Sequence, residues 1–253
     1  MDLGLKGKRA IVTGGTRGIG RRIVDLLVAE GCDVGLCARD KSQVDDAVAT
    51  LSGNDVRVIG DVVDVTDDSG LRQWVTDTAN NLGGLDILIP NASALVGSAS
   101  VEDWRLGMEV DVLGTVRAVE AAMPFLVESD AASIVAIAST AAVNIAGGVR
   151  AYTGHKAAII SYMSSLSTVH GTQGVRANTV SPGAIYFEGG VWDKRKREAP
   201  AAYANAVARS PMKRLGTPEE VANGVVFLAS PAASYISGTN LIVDGAATTR
   251  IQY

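Results

Sequence analysis

Short apolar runs alternate along the chain with longer stretches in which apolar residues return every three or four positions. The first run, Arg9-Ala10-Ile11-Val12-Thr13, meets a glycine-rich turn, after which Ile19, Ile23, Leu26 and Leu27 recur at helical spacing until Gly31. That order reads strand, turn, helix. The same patterning predicts further strands at 33–38, 56–62, 86–89, 133–138, 176–180 and 240–244. Between them, Val44, Ala47, Val48 and Leu51 mark one helix and Leu71, Trp74, Val75, Thr78 and Leu82 another. Longer helices are predicted over 101–128, 151–170 and 218–229, and Pro90 stops the fourth strand. Strands alternating with helices need right-handed crossovers, which give a parallel sheet covered on both faces. The expected fold is therefore α/β, a doubly wound, mostly parallel seven-stranded sheet with helices on both faces. No repeat or linker divides it, so a single domain spanning 1–253 is expected.

Composition narrows the partners. With 253 residues, 47% of them hydrophobic, 20% charged and seven proline, the chain can fill one large core, and disorder is not expected. A net charge of −4 gives no basic footprint for nucleic acid or an anionic membrane, so a small-molecule partner is expected. Residues 131–149 carry no charge but are interrupted by Ser133, Ser139, Thr140, Asn144, Gly147 and Gly148, and do not read as a membrane span. The first nine residues mix charges with glycines and lack an apolar signal core. A cytoplasmic protein is expected. Cys32 and Cys37 have no Cys or His cluster beside them and read as two reduced, buried thiols rather than a disulfide or metal site.

The turn after the first strand carries Gly14, Gly18 and Gly20. Glycines there let the backbone turn tightly and let a diphosphate approach the helix N-terminus, where free N–H groups and the dipole favour anions. The spacing is G-x3-G-x-G, not the commoner G-x-G-x-x-G of dinucleotide folds. In open parallel sheets ligands bind beyond the carboxyl ends of the strands. The glycine turn, Asp64, Asn91, Ser139 and Pro182-Gly183 all fall there. Taken singly, Asp64 reads equally as a turn cap and Asn91 as a loop-forming side chain.

Tyr152 and Lys156 sit at i and i+4 of the predicted 151–170 helix and so share a face, thirteen residues after Ser139. A phenol titrates at about pH 10 in isolation, and an ammonium beside it favours the phenolate. Such a pair is a candidate acid/base.

Over essentially its whole length the sequence resembles the short-chain dehydrogenase/reductase family. The likeness rests on Thr13-Gly14-Gly15-Thr16-Arg17-Gly18-Ile19-Gly20, Asp64-Val65-Thr66, Asn91-Ala92, Ser139, Tyr152-x3-Lys156, Ser181-Pro182-Gly183, Gly216-Thr217-Pro218-Glu219-Glu220-Val221-Ala222 and Val243-Asp244-Gly245. It implies a Rossmann-like oxidoreductase that moves hydride between a nicotinamide and a carbonyl or alcohol carbon. Tyr152 would be the general acid or base, Ser139 would hydrogen-bond the substrate oxygen, and Lys156 would tune the tyrosine and hold the nicotinamide ribose. The resemblance likewise assigns Gly14, Thr16, Arg17, Gly18, Ile19 and Gly20 to the cofactor, with Asp64, Val65, Asn91, Pro182, Gly183 and Ile185 joining them.

NAD-specific folds usually place an acid at the end of the second strand, whereas a 2′-phosphate needs cations. Here that end reads Cys37-Ala38-Arg39, and Arg17 lies in the glycine turn, which favours NADP(H). Asp40 keeps NAD(H) open, and Arg39 has the alternative of stacking on the adenine.

Three positions depart from the family pattern. Pro90-Asn91-Ala92-Ser93 stands for Asn-Asn-Ala-Gly, so a proline removes a donor and a serine fills the place of a glycine. Asp111 replaces the asparagine that in the family supports a water-mediated relay to the lysine, and the expectation is an active enzyme with a shifted pH optimum, with an impaired enzyme as the alternative. Phe187 replaces a threonine that contacts the nicotinamide. The segment 184–211 is expected to form a substrate lid, with Tyr186, Phe187, Trp192 and Tyr203 either lining it or packing it down. Lys194-Arg195-Lys196-Arg197 reads as a solvated helix face, with a site for an acidic carrier as the alternative. The expected activity interconverts a secondary alcohol and its ketone. Alternatives are a 3-oxoacyl thioester reductase or a weakly active nucleotide-binding sensor or scaffold. Relatives commonly assemble as tetramers, so a homotetramer, or a homodimer, is expected.

Overall fold

The computed structural model describes residues 2–53, 55–144 and 148–249. Its first half runs β1 (Arg9–Thr13), α1 (Gly18–Ala29), β2 (Asp33–Ala38), α2 (Lys41–Leu51), β3 (Val58–Val62), α3 (Asp68–Leu82) and β4 (Ile87–Ile89). The second half continues with α4 (Val101–Gly107), α5 (Gly114–Leu126), β5 (Ser133–Ile137), α6 (Ala151–His170) and β6 (Arg176–Pro182). Then come α7 (Val191–Glu198), α8 (Pro200–Arg209), α9 (Pro218–Ala229) and β7 (Asn240–Val243). The seven strands form one sheet in the order β3-β2-β1-β4-β5-β6-β7, every pairing parallel. This is the doubly wound α/β architecture expected from the alternating pattern.

Local chemistry sets the helix ends. Asp40 and Asp67 cap α2 and α3, and Gly83 closes α3 in the left-handed conformation at φ +81°. Thr217 and Glu220 form a reciprocal capping box on α9, with Pro218 as its first residue. The sheet separates two apolar layers. One packs α1 and α9 against it through Ile23, Leu27, Val221 and Val225, and the other packs α3, α5 and α6 through Leu71, Val75, Ala118 and Ile159. Each large side chain so buried contributes about 2 kcal/mol. Cys32 lies in the first layer and Cys37 in the second, both free, and burial pushes each thiol up to about 12.

At the amino end of the sheet, Arg9 and Asp86 lock β1 to β4. Arg9 Nε and Nη2 each donate to the Asp86 carboxylate at 2.8 Å, and Ser129 Oγ donates to it at 2.6 Å. Among the described residues no helix is long and apolar enough to cross a membrane.

The predicted helix at 101–128 is instead three pieces. Between α4 and α5, residues Met108–Leu113 form a wider, π-helical turn, and Asp111 sits in it. Apolar spacing alone does not distinguish a π turn from an α turn in a helix of this length. Two short helices, α7 and α8, also occupy the segment for which the sequence suggested only a lid.

Candidate active site

β1 and β4 are neighbours at the point where the strand order reverses, and the glycine turn opens there. Gly14 and Gly18 hold left-handed conformations at φ +66° and +55°. A Cβ on Gly20 would overlap the Gly14 carbonyl oxygen and the Asn91 amide, so the first turn of α1 sits directly on the loop. Asn91 Nδ2 donates to the carbonyls of Thr13 at 3.0 Å and Gly14 at 2.9 Å, and Asn91 N–H donates to Thr13 Oγ1 at 3.0 Å. Its amide is thus engaged in joining β4 to the glycine loop. The first turn of α1 has no side-chain cap and no acidic residue, leaving its N–H groups for an anion. Thr16 bonds Gln43 of α2 at 3.1 Å, and Ile19 packs against the first core layer.

Arg17 and Arg39 are both exposed, and among the described residues neither guanidinium makes a hydrogen bond or ion pair. The two acids near them are turned to local structure. Asp40 accepts Ser42 Oγ at 2.6 Å and Gln43 N–H at 3.1 Å, and the Ser42 bond above all holds its carboxyl below the usual range. Asp64 accepts Thr66 N–H at 3.0 Å and Thr66 Oγ1 at 2.8 Å; the backbone bond, aided by the hydroxyl and the charge of Arg39, lowers it against burial. Val65 is buried against Gly114.

Ser139 lies two residues beyond β5. Its Oγ accepts Ala141 N–H at 3.2 Å, which leaves its own proton to donate. Tyr152 lies in the first turn of α6, and Lys156 Nζ is 5.7 Å from its ring centroid one turn later. Lys156 is 2% exposed and Asp111 1%. The Lys156 ammonium donates to Ile137 O at 3.0 Å and lies 3.0 Å from Asp111 Oδ1. Asp111 also receives Ser93 Oγ on Oδ1 at 2.6 Å and Ala94 N–H on Oδ2 at 2.8 Å, while Thr115 Oγ1 occupies its backbone carbonyl at 2.7 Å. Sequence reasoning treated Ser93 and Asp111 as separate departures; the structure bonds one to the other. The available signal was their co-occurrence, a new donor with a new acceptor.

His155 faces away from this group. Its buried ring donates from Nε2 to the Trp104 carbonyl at 3.0 Å and meets the Trp104 ring edge-on at 5.0 Å.

Beyond β6, Gly183 donates to Val243 O at 2.9 Å, and a Cβ on it would lie 2.6 Å from that of Asp244. Ile185 pairs with Gly216 in an isolated parallel bridge, which pins both ends of the intervening segment. Tyr186 donates to Asp193 at 3.1 Å and meets Tyr203 edge-on at 6.3 Å, with Lys196 Nζ 5.2 Å from one ring and 5.8 Å from the other. These two tyrosines pack the segment onto itself. The basic run is tied down locally: Lys194 to Glu198 at 3.8 Å, Arg197 to Asp193 at 3.3 Å and Arg195 over Trp192 at 4.6 Å. Phe187 turns the other way, against the glycine loop.

Residues 14–248 match the family model described as enoyl-(acyl carrier protein) reductase. The chain is 39% identical over 249 residues to isoepoxydon dehydrogenase patN of Penicillium expansum, covering 97% of this chain and 96% of that one. It is 30% identical over 252 residues to the 3-oxoacyl-[acyl-carrier-protein] reductase FabG of Chlamydia pneumoniae, covering 98% and 100%. A solved short chain dehydrogenase from Burkholderia cenocepacia J2315, in complex with NADP, superposes with a TM-score of 0.87 at 30% identity, over 96% of this chain and 99% of that one.

Proposed function

The chain belongs to the short-chain dehydrogenase/reductase family of NAD(P)-dependent oxidoreductases, and within it we propose an NADP(H)-dependent enzyme that interconverts a secondary alcohol and its ketone. The observation that carries this reading is the placement of Lys156, whose Nζ lies 5.7 Å from the Tyr152 ring centroid and bonds the Ile137 carbonyl two residues before Ser139. The Ser139 hydroxyl, free to donate, holds the substrate oxygen, and the Tyr152 phenol gives that oxygen a proton in reduction and removes one in oxidation. Lys156 holds positive charge beneath the phenol, and Asp111 positions Lys156.

The nicotinamide supplies the hydride when bound. The glycine loop would hold the diphosphate on the uncapped N–H groups of the first turn of α1 once the Phe187 ring moves off Gly18. Two unpaired arginines, 17 and 39, support a 2′-phosphate at the far end. Asp40, the acid that favours NAD(H), has its carboxylate in the α2 cap.

The segment 184–211 acts as a lid, a reading supported by its two helices and by the Ile185–Gly216 bridge at its base. Val101, Trp104 and Met108 expose an apolar face on and just after α4, which supports self-association into a tetramer or dimer. A Val101→Glu variant that leaves the mass in solution unchanged would exclude that face. A cytoplasmic setting fits the two free, buried cysteines.

Fluorescence titration with NADPH, followed by an absorbance screen of ketones and alcohols, tests the function. Turnover abolished by Tyr152→Phe supports it; tight binding without turnover, unchanged in that variant, supports a sensor or scaffold instead. A 3-oxoacyl thioester is the second substrate to try, because a relative of this length and 30% identity carries that name.

A further inference from the structure

Asp111 is the acceptor for three donors from two separate elements. Ser93 Oγ stands 2.6 Å and Lys156 Nζ 3.0 Å from Oδ1, and Ala94 N–H stands 2.8 Å from Oδ2. The Ser93 proton is committed to the carboxylate, since its oxygen already accepts Leu95 N–H at 3.2 Å. The titratable groups that face Asp111 are Lys156 and, beyond it, Tyr152, both on α6; His155 of the same helix bonds the Trp104 carbonyl instead.

An asparagine offers one acceptor oxygen and an amide with two donors. With its oxygen in the place of Oδ1, its NH2 faces the Ala94 N–H. With the oxygen in the place of Oδ2, the NH2 faces the ammonium. Either orientation sets donor against donor where water does not reach. We propose that Ser93, Ala94 and Lys156 form a cage specific for a carboxylate at position 111, in which Ser93 and Asp111 are positioning residues for the Lys156 ammonium. The asparagine usual in the family is then the defective residue in this chain. The inference rests on the reading of Tyr152 and Lys156 as the acid/base pair.

The test is a double-mutant cycle on Asp111→Asn and Ser93→Ala, with Ser93→Thr as the variant that keeps the hydroxyl. Asp111→Asn is expected to lower kcat roughly 10-fold or more with KM within about threefold. Ser93→Ala is expected to lower kcat several-fold with KM within about threefold, because the carboxylate that holds the Lys156 ammonium loses a donor, and Ser93→Thr to restore it. In the unloaded protein, Asp111→Asn lowers the thermal midpoint by several degrees, and Ser93→Ala costs less in the Asn background than in the parent.

Asp111→Asn with the parent's rate, profile and midpoint overturns the cage, as do strictly additive effects of the two substitutions. If Asp111→Asn does not fold, loss of kcat in Ser93→Ala and its rescue in Ser93→Thr decide, and an unchanged kcat in Ser93→Ala overturns the cage. If no ketone or alcohol is turned over, the function proposed above has failed, and the unfolding cycle on the unloaded protein still decides the cage.

Discussion

The ring of Phe187 stands against Gly18: a Cβ placed on that glycine would lie 2.6 Å from Phe187 Cζ. The N-terminal turn of α1, with its free N–H groups, is therefore partly covered by the start of the lid segment. A diphosphate on this turn requires the ring to leave. Apparent affinity falls by the fraction of molecules in which it has left. Phe187→Ala is expected to tighten NADPH binding about two- to tenfold by fluorescence titration; unchanged or weaker binding shows that the ring does not compete.

In the proposed NADP(H) enzyme, Arg17 and Arg39 would carry the cofactor preference. Each charge-assisted bond to a 2′-phosphate is worth roughly 10- to 100-fold in affinity. Arg39→Ala and Arg17→Ala should each weaken NADPH by about that factor and NADH by less than about threefold. Equal losses for the two cofactors would assign the arginines to the adenine or the diphosphate.

Gly20→Ala places a methyl group into the Gly14 carbonyl and the Asn91 amide, neither of which can swing aside without moving a strand end. The expected cost is about 1–3 kcal/mol in urea unfolding, together with loss of NADPH binding. A variant with parental stability and affinity would show the loop to be more pliant than its packing indicates.

Asp86 predicts an acid-linked loss of stability. Burial pushes its carboxyl up, but hydrogen bonds from the Arg9 side chain, Ser129 and the Arg9 backbone, with the Arg9 charge, outweigh it and hold the group below the usual range. A depressed native pKa stabilises above the unfolded value of about 3.9 and stops doing so as pH falls through the native value. Asp86→Asn should cost about 2 kcal/mol near neutral pH and progressively less below about pH 4. Urea midpoints collected across that range check it, and a pH-independent difference would remove the pair from the acid response.

The alternation of apolar runs and helical periodicities made the sheet legible in advance, because each strand of a doubly covered parallel sheet is apolar on both faces. The same logic placed Asp64, Asn91, Ser139 and Gly183 at one end of it. Less of the site's wiring was readable. Asn91 and Asp64 serve the loops they sit in, and nothing in their spacing separates that use from a contact with ligand. The link from Ser93 to Asp111 joins residues eighteen apart through side chains, which no periodicity reports. Phe187 was recognisable as a departure, but its direction depends on how the lid segment folds back from the Ile185–Gly216 bridge.

The π-helical turn at Met108–Leu113 is in effect a phase shift written into a helix. Each residue of an α-helix turns the chain by about 100°. One residue more or fewer here rotates everything before the turn relative to everything after it, while leaving both flanking helices intact. The apolar faces of α4 and α5 would tolerate such an edit far better than the carboxylate between them, whose three donors fix its bearing. Chain length in this short interval is therefore a chemical variable, and single-residue insertions and deletions there should silence the enzyme while sparing the fold.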